Sequence, residues 1–288
     1  MDSKKLIAKP LIKKIYADLQ EEIEGFGVSP KLVILQIGDN PASEFYVQNL
    51  LKKSKKVGIE AELKKFDSSI SQDIFLGEIK KLNNDDSVHG IMLQKPFPKD
   101  FNDDVITQTI NPDKDVDGFH PMNLGNLLLG KDAFIPCTPQ AVLEMLKFYN
   151  IQTTGKHVVI LGRSNIVGKP LANLLLRKDE TGNATVTVCH SRTQNLSEIT
   201  RQADILIAAI GRARFVTKEM IRENAIIIDV GVNLIKEDGK EKYVGDVDYD
   251  DCYEKSYLIT PVPKGVGSVT TSLLLKNVVK AYKILHQK

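Results

Sequence analysis

The segment VVILGRSNIVGKP, residues 158–170, decides the fold class of this 288-residue chain. Its apolar beginning predicts a buried strand that ends at Gly162, and a helix is expected to begin between Ser164 and Gly168. Glycines in such a turn let the backbone approach a phosphate, while the helix N-terminus offers N–H donors and a partial positive charge. Ser164 stands where the three-glycine dinucleotide fingerprint has its second glycine, so a purely structural turn is the alternative.

Strand and helix patterns alternate on both sides of this turn. Apolar runs predict buried strands at residues 31–38, 88–94, 184–189, 204–211 and 225–232, and a further strand is predicted at 60–66. Helical periodicity covers most of the segments between them and returns in residues 268–288. Such alternation is typical of parallel sheets covered by helices, so the sequence predicts an α/β fold.

The character of the chain changes after DVDGFHPMNLG, residues 115–125, and two domains are predicted. An N-terminal α/β domain takes residues 1–138 together with 261–288, whose helix is expected to return to it, and a Rossmann-type domain takes 139–260. In PCTPQAVLEMLKFYN, Thr138 is predicted to cap a helix, and Pro139 suits its first turn.

Composition excludes several classes of protein. The formal net charge of +2 is too small for a nucleic-acid surface, and no run approaches the roughly 20 apolar residues that span a membrane. The N-terminus lacks the apolar run of a secretory signal. Cys137, Cys189 and Cys252 match no metal spacing, so no metal site is predicted, and they are expected to be reduced thiols in the cytoplasm.

The strand after the glycine turn ends in His190-Ser191-Arg192. An NAD site usually has an acidic residue there for the ribose 2′-hydroxyl, and this sequence has none. Ser191, Arg192 and Arg163 instead offer a hydroxyl and guanidinium groups, which bind phosphate oxygens well. Taken alone, each arginine is interpreted as a surface charge. Together at the ends of adjacent strands, the serine and the two arginines predict NADP rather than NAD.

In the N-terminal domain, polar residues follow a predicted strand. Gln94 ends residues 88–94, and Asp113, Asp115 and Asp117 are crowded into PDKDVDGFH. Ligands bind beyond the carboxyl ends of such strands. Turn-forming and capping roles are the alternative for the aspartates. A calcium loop is disfavoured because Val116, Phe119 and the absence of a distal Glu break its pattern.

The chain resembles the bifunctional methylenetetrahydrofolate dehydrogenase/methenyltetrahydrofolate cyclohydrolase family over nearly its whole length. The resemblance depends on GDNPAS, SEFYV, KDVDGFHPMNLG, PCTP, GRSNIVGKP, TVCHSRT, IDVGVN, GDVD and TPVPKGVGSVT, in that order. It implies a folate-binding N-terminal domain, an NADP-binding Rossmann domain, a cleft between them and a homodimer.

The resemblance also implies roles for individual residues. Tyr46 is expected to lie against the folate, Gln94 near the reacting carbon, and Asp117 on the pterin ring. The substrate-binding set is completed by Pro261, Val262, Pro263, Gly265 and Gly267. The implied cofactor-binding set is Gly162, Arg163, Ser164, Ile166, Val167, His190, Ser191, Arg192 and Val232.

One departure from the family pattern concerns catalysis. The helix of residues 43–59 normally has its catalytic lysine four residues after the tyrosine, and Leu50 stands there. Taken alone, this stretch is an ordinary amphipathic helix with a core face; as a site, Tyr46 and Leu50 would face the folate. Lys264, Ser268 and Ala141 also replace a glycine, a proline and a glycine of the family pattern.

The two family reactions differ in what they need at position 50. Hydride transfer needs distance and orientation, which a leucine permits. Hydrolysis needs proton transfer, which a leucine cannot provide. We therefore expect dehydrogenase activity with weak or absent cyclohydrolase activity. The alternatives are a displaced lysine (Lys53, Lys95 or Lys264), a silent folate- or nucleotide-binding protein, and an NADP-dependent oxidoreductase with another substrate.

Overall fold

The computed structural model describes residues 4–237 and 239–287, with the side chain of Ala42 left out. This part of the chain forms two compact units. The five-stranded unit contains the described residues up to Ile12, Leu127–Gly130 and Pro136–Thr270. The three-stranded unit contains Lys13–Asn126, Lys131–Ile135 and the described residues from Thr271 onward.

Helices and strands alternate along the chain, as the sequence predicts. The helices are α1 (Lys9–Glu24), α2 (Pro41–Val57), α3 (Gln72–Asn83), α4 (Asp103–Thr109), α5 (Pro121–Leu128), α6 (Cys137–Phe148), α7 (Gly168–Leu176), α8 (Leu196–Thr200), α9 (Tyr249–Tyr253) and α10 (Thr270–His286). The strands are β1 (Lys31–Ile37), β2 (Glu60–Phe66), β3 (Gly90–Gln94), β4 (His157–Leu161), β5 (Thr185–Cys189), β6 (Ile205–Ala208), β7 (Ala225–Asp229), β8 (Asn233–Glu237), β9 (Lys240–Val244) and β10 (Ser256–Ile259).

The three-stranded unit has a parallel sheet in the order β2-β1-β3. Strand β1 is central and almost wholly buried, which agrees with its unbroken apolar sequence. Helix α2 begins where the Asn40 side chain accepts the backbone N–H of Ser43, so its first turn is fixed beside the end of β3. Helix α10 packs here as well, with Asn277 Nδ2 donating to Val116 O at 2.8 Å.

The five-stranded unit has a parallel sheet in the order β10-β7-β6-β4-β5, and its two-stranded hairpin pairs β8 with β9. The chain runs from β4 outward to β5, then returns to β6 on the other side of β4. The loops after β4 and β6 therefore diverge at their carboxyl ends, which is where open α/β sheets bind ligands. The α/β fold class is confirmed.

Two local predictions are wrong. Thr138 does not cap α6, because the helix begins at Cys137 and already contains Thr138. Its N-cap residue is Pro136, which makes no side-chain cap bond. The segment 184–189 is not a fully buried strand, because β5 is an edge strand that exposes Thr185 and Val188.

The units are defined by packing, so the division into a folate-binding domain (1–138 with 261–288) and a Rossmann domain (139–260) stays a prediction. The cleft between those domains also stays a prediction. Within the described residues, no helix is both long and apolar enough to cross a membrane.

Candidate active site

The turn after β4 is closed by contacts at its two glycines. Gly162 has φ +126°, and a Cβ there would lie 2.2 Å from the carbonyl oxygen of Ala209, just after β6. A Cβ on Gly168 would lie 2.1 Å from the carbonyl oxygen of Gly162. Neither position therefore has room for a side chain, whatever the turn binds.

The N-terminus of α7 suits an anion. Its N-cap residue, Val167, makes no side-chain cap bond, and Ser164 Oγ accepts the backbone N–H of Val167 at 3.1 Å. The positive end of the α7 dipole therefore lies at the turn, where the Ser164 hydroxyl is the side-chain group that accepts one of its N–H groups. Arg163 and Ser164 are exposed beside it, so this set of donors matches a phosphate group.

A cavity of about 290 Å³ lies at the carboxyl ends of β4, β5 and β6. Five residues of the predicted cofactor set line it: Gly162, Arg163, Ser164, His190 and Ser191. The other four, Ile166, Val167, Arg192 and Val232, are not among its lining residues. The cavity thus unites the glycine turn with the serine that the sequence assigns to a 2′-phosphate.

The turn after β5 is fixed by its own hydrogen bonds. The backbone N–H of His190 donates to Thr193 Oγ1 at 2.9 Å, and that of Arg192 donates to His190 Nδ1 at 3.2 Å. Ser191 and Arg192 are exposed at this turn. Cys189 is buried just before it, and burial raises the pKa of its thiol, which disfavours a thiolate.

Sequence reasoning missed the part of the cavity lining that comes from α8 and from the loop after β6. This part consists of Leu196, Ile210, Arg212 and Phe215, and the Arg212 guanidinium carbon lies 4.4 Å from the centre of the Phe215 ring. The signal was the segment GRARF, residues 211–215, directly after a predicted strand.

Two buried carboxylates hold the loop after β6 in place. Asp246 accepts the backbone N–H groups of Ile210 and Gly211 on Oδ2, at 2.7 and 2.9 Å, and that of Arg212 on Oδ1 at 2.8 Å. Asp229 accepts the backbone N–H of Asp246 at 3.0 Å. Burial raises the pKa of Asp229 to about 7. The motifs IDVGVN and GDVD therefore position the loop after β6.

In the three-stranded unit, residues 114–117 run beside β3. The backbone N–H of Ile91 donates to Lys114 O at 2.8 Å, and Ile91 forms a parallel bridge with Asp115. Asp115 is buried and accepts the N–H of His120 at 2.8 Å and Asn123 Nδ2 at 2.9 Å. Asp115 is therefore structural, and within the described residues no cluster of metal ligands is found.

Asp117 is the aspartate of this segment that suits a ligand. It lies two residues after Asp115 and is partly exposed, and its carboxylate accepts the backbone N–H of Leu93 in β3. Burial raises the pKa of Asp117 to about 7, and the nearby Asp115 charge adds to the increase. A carboxyl with this pKa can donate or accept a hydrogen bond near neutral pH.

Gln94 lies at the end of β3 against the first turns of α2. Its Nε2 donates to Lys95 O at 2.7 Å and to Ser43 Oγ at 3.3 Å. Its Oε1 is buried and has no hydrogen-bond partner among the described residues. A buried amide oxygen without a partner is costly, so this atom is a candidate acceptor for a ligand group.

The structure separates Tyr46 from Leu50 along α2. Tyr46 is half-buried at the edge of the packed face, whereas Leu50 is 0% exposed at its centre, with Val47 and Ser54. Protein encloses the side chain of Leu50 in this structure, and the assignment of Tyr46 and Leu50 to the folate cleft stays a prediction. Lys53 lies on the edge with Tyr46 and is half-buried, and burial lowers its pKa.

The loop predicted to border the pterin belongs to the five-stranded unit. Pro263, Lys264 and Gly267 are exposed, Pro261 and Val262 are half-buried, and Gly265 is buried. Lys264 has φ 85°, in the left-handed region that favours glycine. This φ explains why the family pattern has glycine at the position, and Lys264 adopts the same backbone conformation at a cost in strain.

Two family models match the chain. The catalytic domain of tetrahydrofolate dehydrogenase/cyclohydrolase matches residues 5–117, and the NAD(P)-binding domain of the same family matches residues 136–286. The second match contains the glycine turn, the cavity beside it and both buried carboxylates.

Similar proteins cover the whole length. A protein of Prosthecochloris aestuarii called "Bifunctional protein FolD" is 46% identical over 287 residues, or 95% of this chain and 97% of its own. The crystal structure of the bifunctional methylenetetrahydrofolate dehydrogenase/cyclohydrolase from Campylobacter jejuni is 43% identical, with a TM-score of 0.91 over 97% of this chain and 98% of its own. The Trypanosoma brucei enzyme, complexed with NADP and an inhibitor, is 33% identical, with a TM-score of 0.91 over 98% of each chain.

Proposed function

Because the chain belongs to the tetrahydrofolate dehydrogenase/cyclohydrolase family, we propose that it oxidises 5,10-methylenetetrahydrofolate to 5,10-methenyltetrahydrofolate by hydride transfer to NADP. The observation that supports this proposal most is the cavity at the reversal of strand order, lined by Gly162, Arg163 and Ser191. Its donors suit a dinucleotide with a phosphate on the adenosine ribose.

In this proposal, the five-stranded unit holds the cofactor. The open N-terminus of α7 and the Gly162 turn bind the pyrophosphate, and Arg163, Ser191 and Arg192 bind the 2′-phosphate. When bound, NADP supplies the nicotinamide ring that accepts the hydride. Ile166, Val167 and Val232, which do not line the cavity, are assigned to the remainder of the dinucleotide.

The folate is assigned to the residues that the family resemblance implies. Tyr46 lies against its flat rings, Asp117 binds the pterin, and Gln94 Oε1 accepts a hydrogen bond near the reacting carbon. Pro261, Val262, Pro263, Gly265 and Gly267 border the pterin. These side chains orient the methylene carbon and exclude water, which is what hydride transfer requires of a protein.

We propose that the cyclohydrolase step is weak. The fully buried Leu50 occupies the place of the family's lysine and can neither give nor take a proton. General acid–base groups contribute about 10² to 10⁴-fold to such steps. The methenyl product then leaves this chain largely unhydrolysed.

The second candidate is the full bifunctional enzyme with Lys53 in place of the missing lysine. Lys53 is half-buried beside Tyr46, and its lowered pKa brings the ammonium nearer to proton exchange at neutral pH. Lys95 is a poorer substitute, because its ammonium pairs with Asp103 at 2.6 Å. Lys264 is exposed and lies on the other unit.

A paired assay tests both candidates. Purified protein receives methylenetetrahydrofolate with NADP or NAD, and NADPH formation and methenyl absorbance are followed together. Our proposal expects NADPH formation with persistent methenyl absorbance. Rapid enzyme-dependent loss of that absorbance would favour the bifunctional candidate, and calorimetric binding of NADP or folate without turnover would favour a silent binding protein.

We also propose a cytoplasmic homodimer. In the five-stranded unit, the exposed edge strand β5 and exposed Leu128, Leu129 and Leu176 offer an apolar surface for a second copy. The three buried cysteines form no disulfide, which suits a reducing compartment. Light scattering coupled to size-exclusion chromatography gives the mass, and a monomer at micromolar concentration would refute the dimer.

A further inference from the structure

We infer that Arg212 is the stacking surface for the adenine ring of the nucleotide, held flat by Phe215 and fixed at its backbone by Asp246. The inference rests on the proposed function, because it concerns the same cavity. It assigns the base, for which the sequence predicts no specific residue, to one side chain of the loop after β6.

The first observation is the geometry of the guanidinium. Its carbon lies 4.4 Å from the centre of the Phe215 ring, so one face of the planar cation is covered by an aromatic ring. Arg212 is exposed and lines the cavity, and no ion pair of Arg212 occurs among the described residues. The uncovered face is therefore available to a second flat ring.

The second observation is that protein contacts hold this arrangement in place. Phe215 is half-buried against the hydrophobic core of the five-stranded unit, so the ring beneath the guanidinium is anchored. The backbone N–H of Arg212 is held by Asp246 Oδ1 at 2.8 Å. A side chain that is already ordered loses little conformational entropy on binding.

The third observation is the chemistry of the cavity around Arg212. Leu161, Cys189, Leu196 and Ile210 contribute carbon and sulfur surface there. Such a lining suits an aromatic base better than a phosphate, which needs several hydrogen-bond donors. The cavity offers those phosphate donors at Arg163, Ser164 and Ser191, which leaves Arg212 for the base.

Fragments of the nucleotide separate stacking from phosphate binding. We would measure the affinities of 5′-AMP, 2′,5′-ADP and NADP by calorimetry for the wild type and for Arg212→Met, Arg212→Lys, Ser191→Ala and Arg214→Met. Arg214 is the matched control, since it is two residues away, exposed and paired with Glu237 at 2.8 Å. Thermal unfolding of each variant checks that the fold is retained.

Stacking predicts that Arg212→Met weakens 5′-AMP and 2′,5′-ADP by the same factor, about 3- to 30-fold. Arg212→Lys should restore little of this loss, because an ammonium lacks the flat surface. Ser191→Ala should weaken the binding of 2′,5′-ADP alone. Arg214→Met should leave the affinities of both fragments unchanged.

Two results would overturn the inference. Loss of 2′,5′-ADP affinity alone in Arg212→Met would make Arg212 a phosphate ligand, and no loss for either fragment would make it a surface charge. Failure of the wild type to bind NADP and both fragments is a different result, because it would refute the proposed function itself.

Discussion

Asp229 accepts the backbone N–H of Asp246 at 3.0 Å, and Asp246 in turn accepts three successive backbone N–H groups of the loop after β6. The Asp229 carboxylate thus fixes the backbone of Asp246, and that backbone positions the Asp246 carboxylate. The loop wall of the cavity depends on this series, since Ile210 and Arg212 are both lining residues and direct partners of Asp246.

We predict that Asp246→Asn lowers the free energy of unfolding by about 2–4 kcal/mol, because an NH₂ group would face backbone donors. The KM for NADP should rise more than the KM for folate, since the displaced loop lines the cofactor cavity. Urea denaturation and steady-state titration of each substrate measure the two effects.

Asp248→Asn is the control for that variant. Among the described residues, its side chain accepts only the N–H of Asp251, at 3.4 Å, at the start of the short helix α9. A loss of about 1 kcal/mol or less is expected. Equal changes in both KM values for Asp246→Asn would show that the carboxylate serves stability alone.

Leu50→Lys should raise the cyclohydrolase rate at least about ten-fold while changing NADPH formation much less, because it restores a proton-handling group. Leu50 is fully buried, so the same variant should lower the thermal midpoint of unfolding. Formyltetrahydrofolate production and a thermal melt measure both. Leu50→Met, which keeps the volume and adds no charge, is the control; a similar gain in hydrolysis from it would contradict our account of position 50.

Any cyclohydrolase activity that the wild type retains should depend on Lys53. We predict that Lys53→Met reduces it about 10²-fold and leaves hydride transfer within a factor of about two. Lys52→Met is the matched control, because Lys52 is its exposed neighbour on the same helix. Equal effects of the two substitutions on hydrolysis would exclude Lys53 as the displaced group.

Asp117 should make folate binding depend on pH near neutrality. Its folded pKa is raised from 3.8 to about 7, so the carboxyl becomes an anion only as the pH rises through that value. If the anion accepts hydrogen bonds from the pterin, the KM for folate should fall between pH 6 and pH 8. Asp117→Asn should have a higher and flatter KM profile, and an unchanged profile would remove Asp117 from this role.

The raised pKa of Asp117 also makes the free energy of unfolding depend on pH. Between pH 3.8 and about 7 the unfolded chain has already lost the proton that folded Asp117 keeps, so this group lowers the free energy of unfolding as the pH rises. Asp117→Asn should reduce that slope in urea denaturation measured at pH 5 and pH 7.

The parts of the fold that depend on local pattern could be predicted from the sequence. The glycine turn was found because Gly162 and Gly168 interrupt a strand–helix pattern. The prediction that β5 is fully buried overlooks the alternation in TVTV, which is typical of a half-exposed strand. The hairpin β8–β9 was missed although the pair Asp238-Gly239 in its sequence is a strong hairpin signal.

The parts of the site that depend on distant contacts could not be predicted. Asp246 and Arg212 are 34 residues apart, and only the folded sheet brings one carboxylate to three backbone donors. The Gln94 oxygen, which has no hydrogen-bond partner in the part of the chain that the structure describes, likewise depends on how α2 meets the end of β3. The burial of Leu50 could be predicted from the sequence, because Val47, Leu50 and Ser54 share one face of the helix.

Gly168 packs on the carbonyl of Gly162, and Gly162 packs on the carbonyl of Ala209. Three stretches of main chain are therefore in contact, with no space for a Cβ atom between them. Ser164 stands outside that stack, and its hydroxyl ties down the N–H of Val167. Position 164 therefore has room for a side chain, whereas any side chain at 162 or 168 would push β4, β6 and α7 apart.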